Sequence, residues 1–128
     1  MKVQPLIVVK DVELSSQWYQ KLLDCQSGHG GKEYERLLFD ENIILQLHAS
    51  DTHGHEYLKY DTSSSRASSM LLWFQTDKYD AATQRVKNLG VEVLEASHVN
   101  ELANHRECWV RDLDGYVVVI ASAYGDIG

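Results

Sequence analysis

The strongest constraint on the fold of this 128-residue chain is an internal duplication. Each half predicts an apolar strand, an aspartate, an amphipathic helix and further strands joined by short acidic turns. The aspartates before the two helices, Asp11 and Asp77, are 66 positions apart (77 − 11 = 66). The turns that begin at Asp40 and Asp112 are 72 positions apart (112 − 40 = 72). The repeat predicts two similar modules, and a cavity between their paired curved sheets.

The first module covers about residues 1–50. An apolar, largely β-branched strand over residues 3–9 precedes Asp11, which predicts the N-cap of a helix. A glycine-rich turn over residues 27–31 follows the helix. The apolar face of the helix and the later strands are predicted at Leu14, Trp18 and Leu22, and at residues 33–39 and 43–49.

The second module covers about residues 69–124 and follows a polar segment, 51–68, that is predicted to be a linker. Asp77 again precedes a helix, whose apolar positions have helical spacing and which Gly90 is expected to terminate. Each module therefore reads β-α-β-β-β, and the chain predicts a single α+β domain with a curved mixed sheet around a cavity. The helix positions and strands are predicted at Tyr79, Ala82, Val86 and Leu89, and at residues 91–95, 105–111 and 116–122.

Composition excludes several classes of protein. The 19 acidic and 12 basic residues give a net charge of −7, which argues against nucleic-acid binding and is compatible with a cationic ligand. No apolar run is long enough for a membrane helix, and the N-terminal residues do not form a signal peptide. Cys25 and Cys108 have neither zinc-site nor disulfide-framework spacing, so a cytoplasmic protein with reduced thiols is expected.

Three stretches of the sequence stand out: Val9-Lys10-Asp11 with Trp18-Tyr19 and Leu22-Leu23, residues 77–90, and residues 106–116. Together they resemble the vicinal oxygen chelate superfamily, which includes glyoxalase I, extradiol dioxygenases, and fosfomycin- and bleomycin-resistance proteins. Paired βαβββ modules are the architecture of that superfamily, and the resemblance implies a homodimer. One difference is Leu113, where the family usually has proline in an Asp-Pro-Asp-Gly turn.

The resemblance also implies where a divalent metal would be held in metal-dependent members. The four positions, on the first and last strands of each module, are occupied here by Gln4, Gln46, Leu71 and Val119. Leucine and valine offer no lone pair and glutamine is a weak neutral ligand, so the sequence predicts no metal and no other cofactor. His53-Gly54-His55-Glu56 lies in the polar linker and is interpreted as a solvated segment.

The expected cavity face follows from strand alternation, starting from the former metal positions. It is apolar with a few polar groups, which suits a small organic molecule. Trp73 either offers a stacking surface to a ligand or fills the core. The side-chain amides of Gln4, Gln46 and Gln75 either bind a ligand or form hydrogen bonds with one another or with water. Arg106 and Cys108 reach this face in a tight hairpin, whereas a bulge would place Glu107 and Trp109 there. The candidate ligand-binding residues are Gln4, Gln46, His48, Trp73, Gln75, Arg106 and Cys108.

Three functions remain open at this level. The preferred one is a metal-free binding protein, similar to the bleomycin-resistance branch, that sequesters a hydrophobic compound, either neutral or cationic, in a pocket at a dimer interface. The second is a lyase or isomerase, related to glyoxalase or dioxygenase, whose general base would be His48 or Glu107. Cys108 is either an inert buried thiol or, if His48 or His105 lowers its pKa, a nucleophile. The third is an interaction module. His29, His98 and His105 are interpreted as surface or structural residues.

Overall fold

The computed structural model describes residues 1–50, 57–58 and 70–128. The chain divides into two compact units, Met1–Ser64 and Ser65–Gly128. The described part of each unit forms one helix and one four-stranded mixed sheet, in the order β-α-β-β-β. The predicted α+β fold of two tandem modules is therefore confirmed, with one sheet per unit. Most of the predicted linker, and His53-Gly54-His55-Glu56 with it, lies outside the described residues.

The sheet of the first unit has the order β1-β4-β3-β2, and β1 runs parallel to β4. The two-residue strand β2 lies where the sequence predicted only a turn, and it pairs with β3. The elements are β1 (Leu6–Val9), α1 (Val12–Leu23), β2 (Gln26–Ser27), β3 (Tyr34–Phe39) and β4 (Asn42–Ala49).

Helix α1 packs against β3 and β4, and the details of its buried face differ from the prediction. Asp11 is the N-cap, as predicted, and its side chain accepts a hydrogen bond of 3.0 Å from the Leu14 amide. Leu14 itself is 55% exposed. The buried stripe instead contains Ser16, whose hydroxyl donates to the buried Glu35 carboxylate at 2.8 Å. A polar side chain takes a core position because its partner lies in the same core.

The sheet of the second unit has the order β5-β8-β7-β6, and β5 runs parallel to β8. Lys78, not Asp77, is the N-cap of α2, and the Thr76 hydroxyl accepts the Lys78 amide at 3.0 Å. Gly90 ends the helix in the left-handed conformation, as predicted. The elements are β5 (Leu71–Gln75), α2 (Tyr79–Leu89), β6 (Glu92–Asn100), β7 (His105–Arg111) and β8 (Val117–Ala121).

The core of the second unit lies between this sheet and α2. Tyr79, Ala82 and Val86 form the buried face of the helix, whereas Leu89 is exposed. Every residue of the central strand β8 is buried. The helix covers one face of the sheet, and the opposite face carries the candidate site.

Candidate functional site

The pairing of the strands assigns each side chain of the second sheet to one of its two faces. Trp73 of β5 pairs with Val119 of β8, and Val119 pairs with Trp109 of β7. Residues paired across neighbouring strands point to the same side, so these three share a face, which we call the Trp73 face. Leu72 and Val110, which alternate with them, lie on the helix-covered face.

Arg106 and Cys108 do not lie on the Trp73 face, and the prediction that they do is wrong. Five residues, 112–116, connect β7 to β8, and Cys108 consequently pairs with Ile120. The predicted pairing needs a connection one residue shorter. A shift of one residue moves every side chain of a strand to the opposite face. The places predicted for Arg106 and Cys108 are taken by Glu107 and Trp109, which was the alternative arrangement.

On the helix-covered face, neither Arg106 nor Cys108 is placed for ligand chemistry. The Arg106 guanidinium donates to Asp80 at 2.8 Å and to Asp126 at 3.4 Å, and it lies 4.8 Å from the centre of the Tyr79 ring. Cys108 is buried, and burial raises the pKa of its thiol. A thiol that stays protonated is a poor nucleophile, so the structure does not favour the proposed nucleophilic role.

A buried carboxylate, Glu107, organises the Trp73 face. It is 2% exposed and accepts hydrogen bonds from three side chains. Asn100 donates to Oε1 at 2.9 Å, His105 Nε2 donates to Oε1 at 2.8 Å, and Trp109 Nε1 donates to Oε2 at 2.6 Å. His98 Nε2 lies 3.5 Å from Oε2. A single charged group thereby fixes the positions of four side chains.

The hydrogen bonds also decide the ionisation of Glu107. Burial alone would raise the pKa of this carboxyl, but the donors from Asn100, His105 and Trp109, together with His98 nearby, hold it below its ordinary value. Glu107 is therefore ionised at neutral pH and already accepts three hydrogen bonds. A carboxylate in this state is a weak proton acceptor, which argues against its candidacy as the general base.

His105 lies between Glu107 and Trp73. It is 5% exposed, and the centres of its ring and the Trp73 ring are 5.7 Å apart. The Glu107 carboxylate only accepts hydrogen bonds, so His105 Nε2 carries a proton. The sequence offered a signal for this pair, because residues two apart on a strand share a face. His105 was nevertheless interpreted as a surface or structural residue, on the grounds of its polar context.

Two irregularities in β6 add a row of polar residues to this face. The pairing of β6 with β7 shifts between Val93 and Glu95 and again between Glu95 and His98. Glu92, Glu95 and His98 consequently pair with Arg111, Trp109 and Glu107, although they are three residues apart rather than two. The extra residue between each successive pair returns Glu92, Glu95 and His98 to the same side of the sheet. The Arg111 guanidinium is neutralised by Glu92 at 2.7 Å.

In the first sheet, Gln46 and His48 share the face that is opposite α1. The Gln46 amide is satisfied within the protein, because it accepts from the Tyr34 hydroxyl and donates to the Gln4 carbonyl at 2.9 Å. His48 Nδ1 donates to the Ala49 carbonyl at 2.7 Å. The Gln4 side chain is exposed and precedes β1. The structure thus brings Gln46 and His48 together here, and Trp73 with Gln75 in the second sheet.

The residues at the four positions of the family metal do not fit a metal ion. Leu71 and Val119 have no donor atoms, and the Gln46 oxygen already accepts a hydrogen bond. Among residues 1–50, 57–58 and 70–128, no group of three or more histidine, cysteine, aspartate or glutamate residues is placed to hold an ion.

Comparison with known structures places this geometry in context. A structure from the mobile metagenome of V. pseudocholerae is 24% identical, with a TM-score of 0.66 and coverage of 95% of this chain and 96% of that chain. The fosfomycin resistance protein FosX from Listeria monocytogenes, complexed with Mn(II) and sulfate, is 15% identical, with a TM-score of 0.70 and coverage of 96% and 90%. A protein of unknown function from Agrobacterium tumefaciens is 19% identical, with a TM-score of 0.75 and coverage of 96% and 94%. These likenesses concern the fold alone.

Sequence comparison extends the assignment. No helix in the described part of the chain has the length and apolar character needed to cross a bilayer. A search of curated proteins gave no significant match. The profile of the glyoxalase/bleomycin resistance protein/dioxygenase superfamily matches residues 3–120, which is nearly the whole chain. The chain therefore belongs to this superfamily, the vicinal oxygen chelate proteins.

Proposed function

We propose that this protein binds a planar organic compound on the Trp73 face without a metal. The observation that carries the proposal is the exposure of Trp73, which is 45% in the middle of a strand. The neighbouring side chains Leu72 and Phe74 are buried and half-buried on the other face, so Trp73 is not needed to fill that core. An exposed indole held rigidly on a sheet is a stacking surface for an aromatic ligand.

Charge favours a cationic ligand over a neutral one. Glu107 is ionised and desolvated beneath the face, and Glu95 lies beside His98 at its edge. Arg111, which is paired into this face, is already neutralised by Glu92. A planar cation would gain both cation–π attraction to Trp73 and Coulomb attraction to these carboxylates. The net charge of −7 adds a weaker long-range attraction.

A matched pair of probes tests this function. N-methylacridinium and uncharged acridine have the same ring shape, and each can be titrated against the protein near pH 7.5 by fluorescence. We expect tighter binding of the cation, and a loss of about tenfold in affinity, or ~1.4 kcal/mol, in Trp73→Leu.

The control for this titration is Trp18→Phe. Trp18 lies on α1 in the first unit, so its replacement should leave the affinity unchanged. Equal affinities of the wild type and Trp73→Leu would refute the proposed site. Equal affinities for acridine and N-methylacridinium would refute its preference for cations.

The homodimer is part of the same proposal. Leu6 of β1 and Leu71 of β5 are each 37% exposed on the faces opposite their helices, and a second copy of the chain would cover such apolar positions. Superfamily membership supports this expectation. Cys25 and Cys108 are buried and are not joined in a disulfide bond, which supports the predicted cytoplasmic location.

The second candidate is a metal-free enzyme of the lyase or isomerase type. The observation that favours it is the hydrogen bond between His105 and Glu107, since a carboxylate that holds one ring nitrogen prepares the other to accept a proton. His48, the other candidate base, has no carboxylate partner among the described residues and donates Nδ1 to a neighbouring carbonyl.

A further inference from the structure

We propose that His105 is a catalytic base for the hydrolysis of aryl esters that stack on Trp73, with Glu107 as its positioning residue. This inference rests on the binding face proposed above and adds an activity to it.

Glu107 fixes the tautomer. Because Nε2 donates to Oε1 at 2.8 Å, neutral His105 carries its only proton on Nε2 and has a lone pair on Nδ1. When Nδ1 takes up a second proton, the imidazolium is stabilised by the adjacent carboxylate. The same relation between a carboxylate and an imidazole prepares the base of serine hydrolases, with the two ring nitrogens exchanged.

The second nitrogen is not consumed by the fold. No hydrogen bond within the described residues involves His105 Nδ1. Every side-chain nitrogen or oxygen among them that is fully buried from solvent does have a hydrogen-bond partner. Nδ1 therefore reaches solvent although the residue as a whole is 5% exposed. A lone pair that is buried to this degree and yet accessible is available to a substrate or to water.

Glu35 of the first unit shows that such an arrangement is not simply what the repeat requires. Glu35 precedes Glu107 by 72 residues (107 − 35 = 72), the spacing of the repeated turns. Its carboxylate accepts from the hydroxyls of Ser16 and Ser27 and from backbone amides, so it anchors a loop. Glu107 instead holds a histidine and an indole on the face opposite α2.

The short distance between Trp73 and His105 is the basis for the proposed class of substrate. The Trp73 and His105 ring centres are 5.7 Å apart, so the two rings are direct neighbours on this face. A substituent on an aryl group stacked on Trp73 would therefore lie beside His105, and we take that substituent to be the ester. Water loses a proton to Nδ1 as its oxygen attacks the carbonyl carbon, the bond between that carbon and the aryl oxygen breaks, and the imidazolium returns the proton to the leaving aryloxide.

The experiment measures hydrolysis of p-nitrophenyl acetate by the purified protein. We expect His105→Gln to lower kcat/KM by about 100-fold, and Trp73→Leu to raise KM with kcat nearly unchanged. The matched control is His29→Gln, which replaces an exposed histidine of the first unit and should retain activity. Hydrolysis that is unchanged in His105→Gln would overturn the inference.

Nitrogen-15 NMR of the imidazole rings tests the role of Glu107 without relying on activity. In the wild type, His105 should be the Nε2–H tautomer, and in Glu107→Gln this preference should be lost together with activity. Observation of the Nδ1–H tautomer in the wild type would overturn the inference even if every variant failed to fold.

The binding proposal is tested separately by N-methylacridinium. Trp73-dependent binding without His105-dependent hydrolysis would sink the catalytic inference alone. Hydrolysis that depends on His105 without Trp73-dependent dye binding would sink the binding role.

Discussion

Each unit has a buried glutamate that accepts hydrogen bonds from several polar groups of that unit. The two glutamates lie on different faces of their sheets relative to the helix. Glu35 lies under α1, where Ser16 and Ser27 donate to it, and Glu107 lies on the face opposite α2. Burial would raise the pKa of each carboxyl, but hydrogen bonds lower both below the ordinary value of 4.5. Both are therefore ionised at neutral pH, and both link stability to pH.

The sign of this link follows from the lowered pKa of Glu35. A carboxyl whose pKa is lower in the folded than in the unfolded state stabilises the fold fully above 4.5, its ordinary value, and loses that contribution as the pH falls through the folded value. Glu35→Gln should lower the free energy of unfolding by about 1–3 kcal/mol at pH 7, because the donors around it lose a charged acceptor.

Urea titrations at pH 7 and pH 3 measure this difference. The difference in the free energy of unfolding between the wild type and Glu35→Gln should be smaller at pH 3 than at pH 7. The exposed control Glu33→Gln should match the wild type at both pH values. A difference that stays constant with pH would contradict the role of the Glu35 charge.

How much of the candidate site the sequence could predict depends on the strand. Alternation along β4 and β5 places Gln46, His48 and Trp73 opposite the helices, because those strands pair without interruption around these residues. The same reasoning failed for Arg106 and Cys108, since it required the number of residues in the β7–β8 connection. Local pattern gives the alternation along a strand but not the pairing between strands.

At the level of elements, the helices were easier to predict than their buried faces. Asp11 and Gly90 mark the start of α1 and the end of α2 through conformations that few residue types supply. The buried face of α1 contains Ser16 because Glu35 lies opposite it. That partner is distant in sequence, so periodicity alone could not show why a serine is buried and Leu14 exposed.

The two helices provide a natural comparison of C-caps. Asp24 and Gly90 both adopt the left-handed conformation, with φ of 54° and 64°. A side chain is strained there, so Gly90→Ala should lower the free energy of unfolding by about 1 kcal/mol, and Asp24→Gly should raise it by a few tenths of a kcal/mol. Chemical denaturation measures both. Equal stability of Gly90→Ala and the wild type would show that this cap does not limit stability.

Strand β6 is the element that the sequence predicted least well. Its nine residues extend well beyond the predicted segment 91–95, and its two register shifts break the alternation on which the prediction depended. Those shifts are what bring Glu95 and His98 to the Trp73 face. Irregularities of this kind often occur beside functional sites, where they redirect a side chain.

For the whole molecule, the duplication predicted the fold because it specifies the order of elements twice. The two sheets have the same strand order, β1-β4-β3-β2 and β5-β8-β7-β6, and the superfamily profile spans both. The halves differ in chemistry, since Gln46 is satisfied by Tyr34 whereas Glu107 gathers Asn100, His105 and Trp109. The repeat therefore determines the order of the elements in both units. The candidate site is formed by residues that differ between the two copies.

The small size of the two units bears on how the whole chain unfolds. Each unit contains 64 residues, a length at which a single hydrophobic core is marginal. If the chain is one folding domain and forms the proposed homodimer, calorimetry should show one cooperative transition whose Tm rises with protein concentration, because association stabilises only the folded state. At net charge −7, added salt should strengthen the association by screening repulsion between like-charged copies. Two transitions that do not depend on concentration would contradict both the single domain and the dimer.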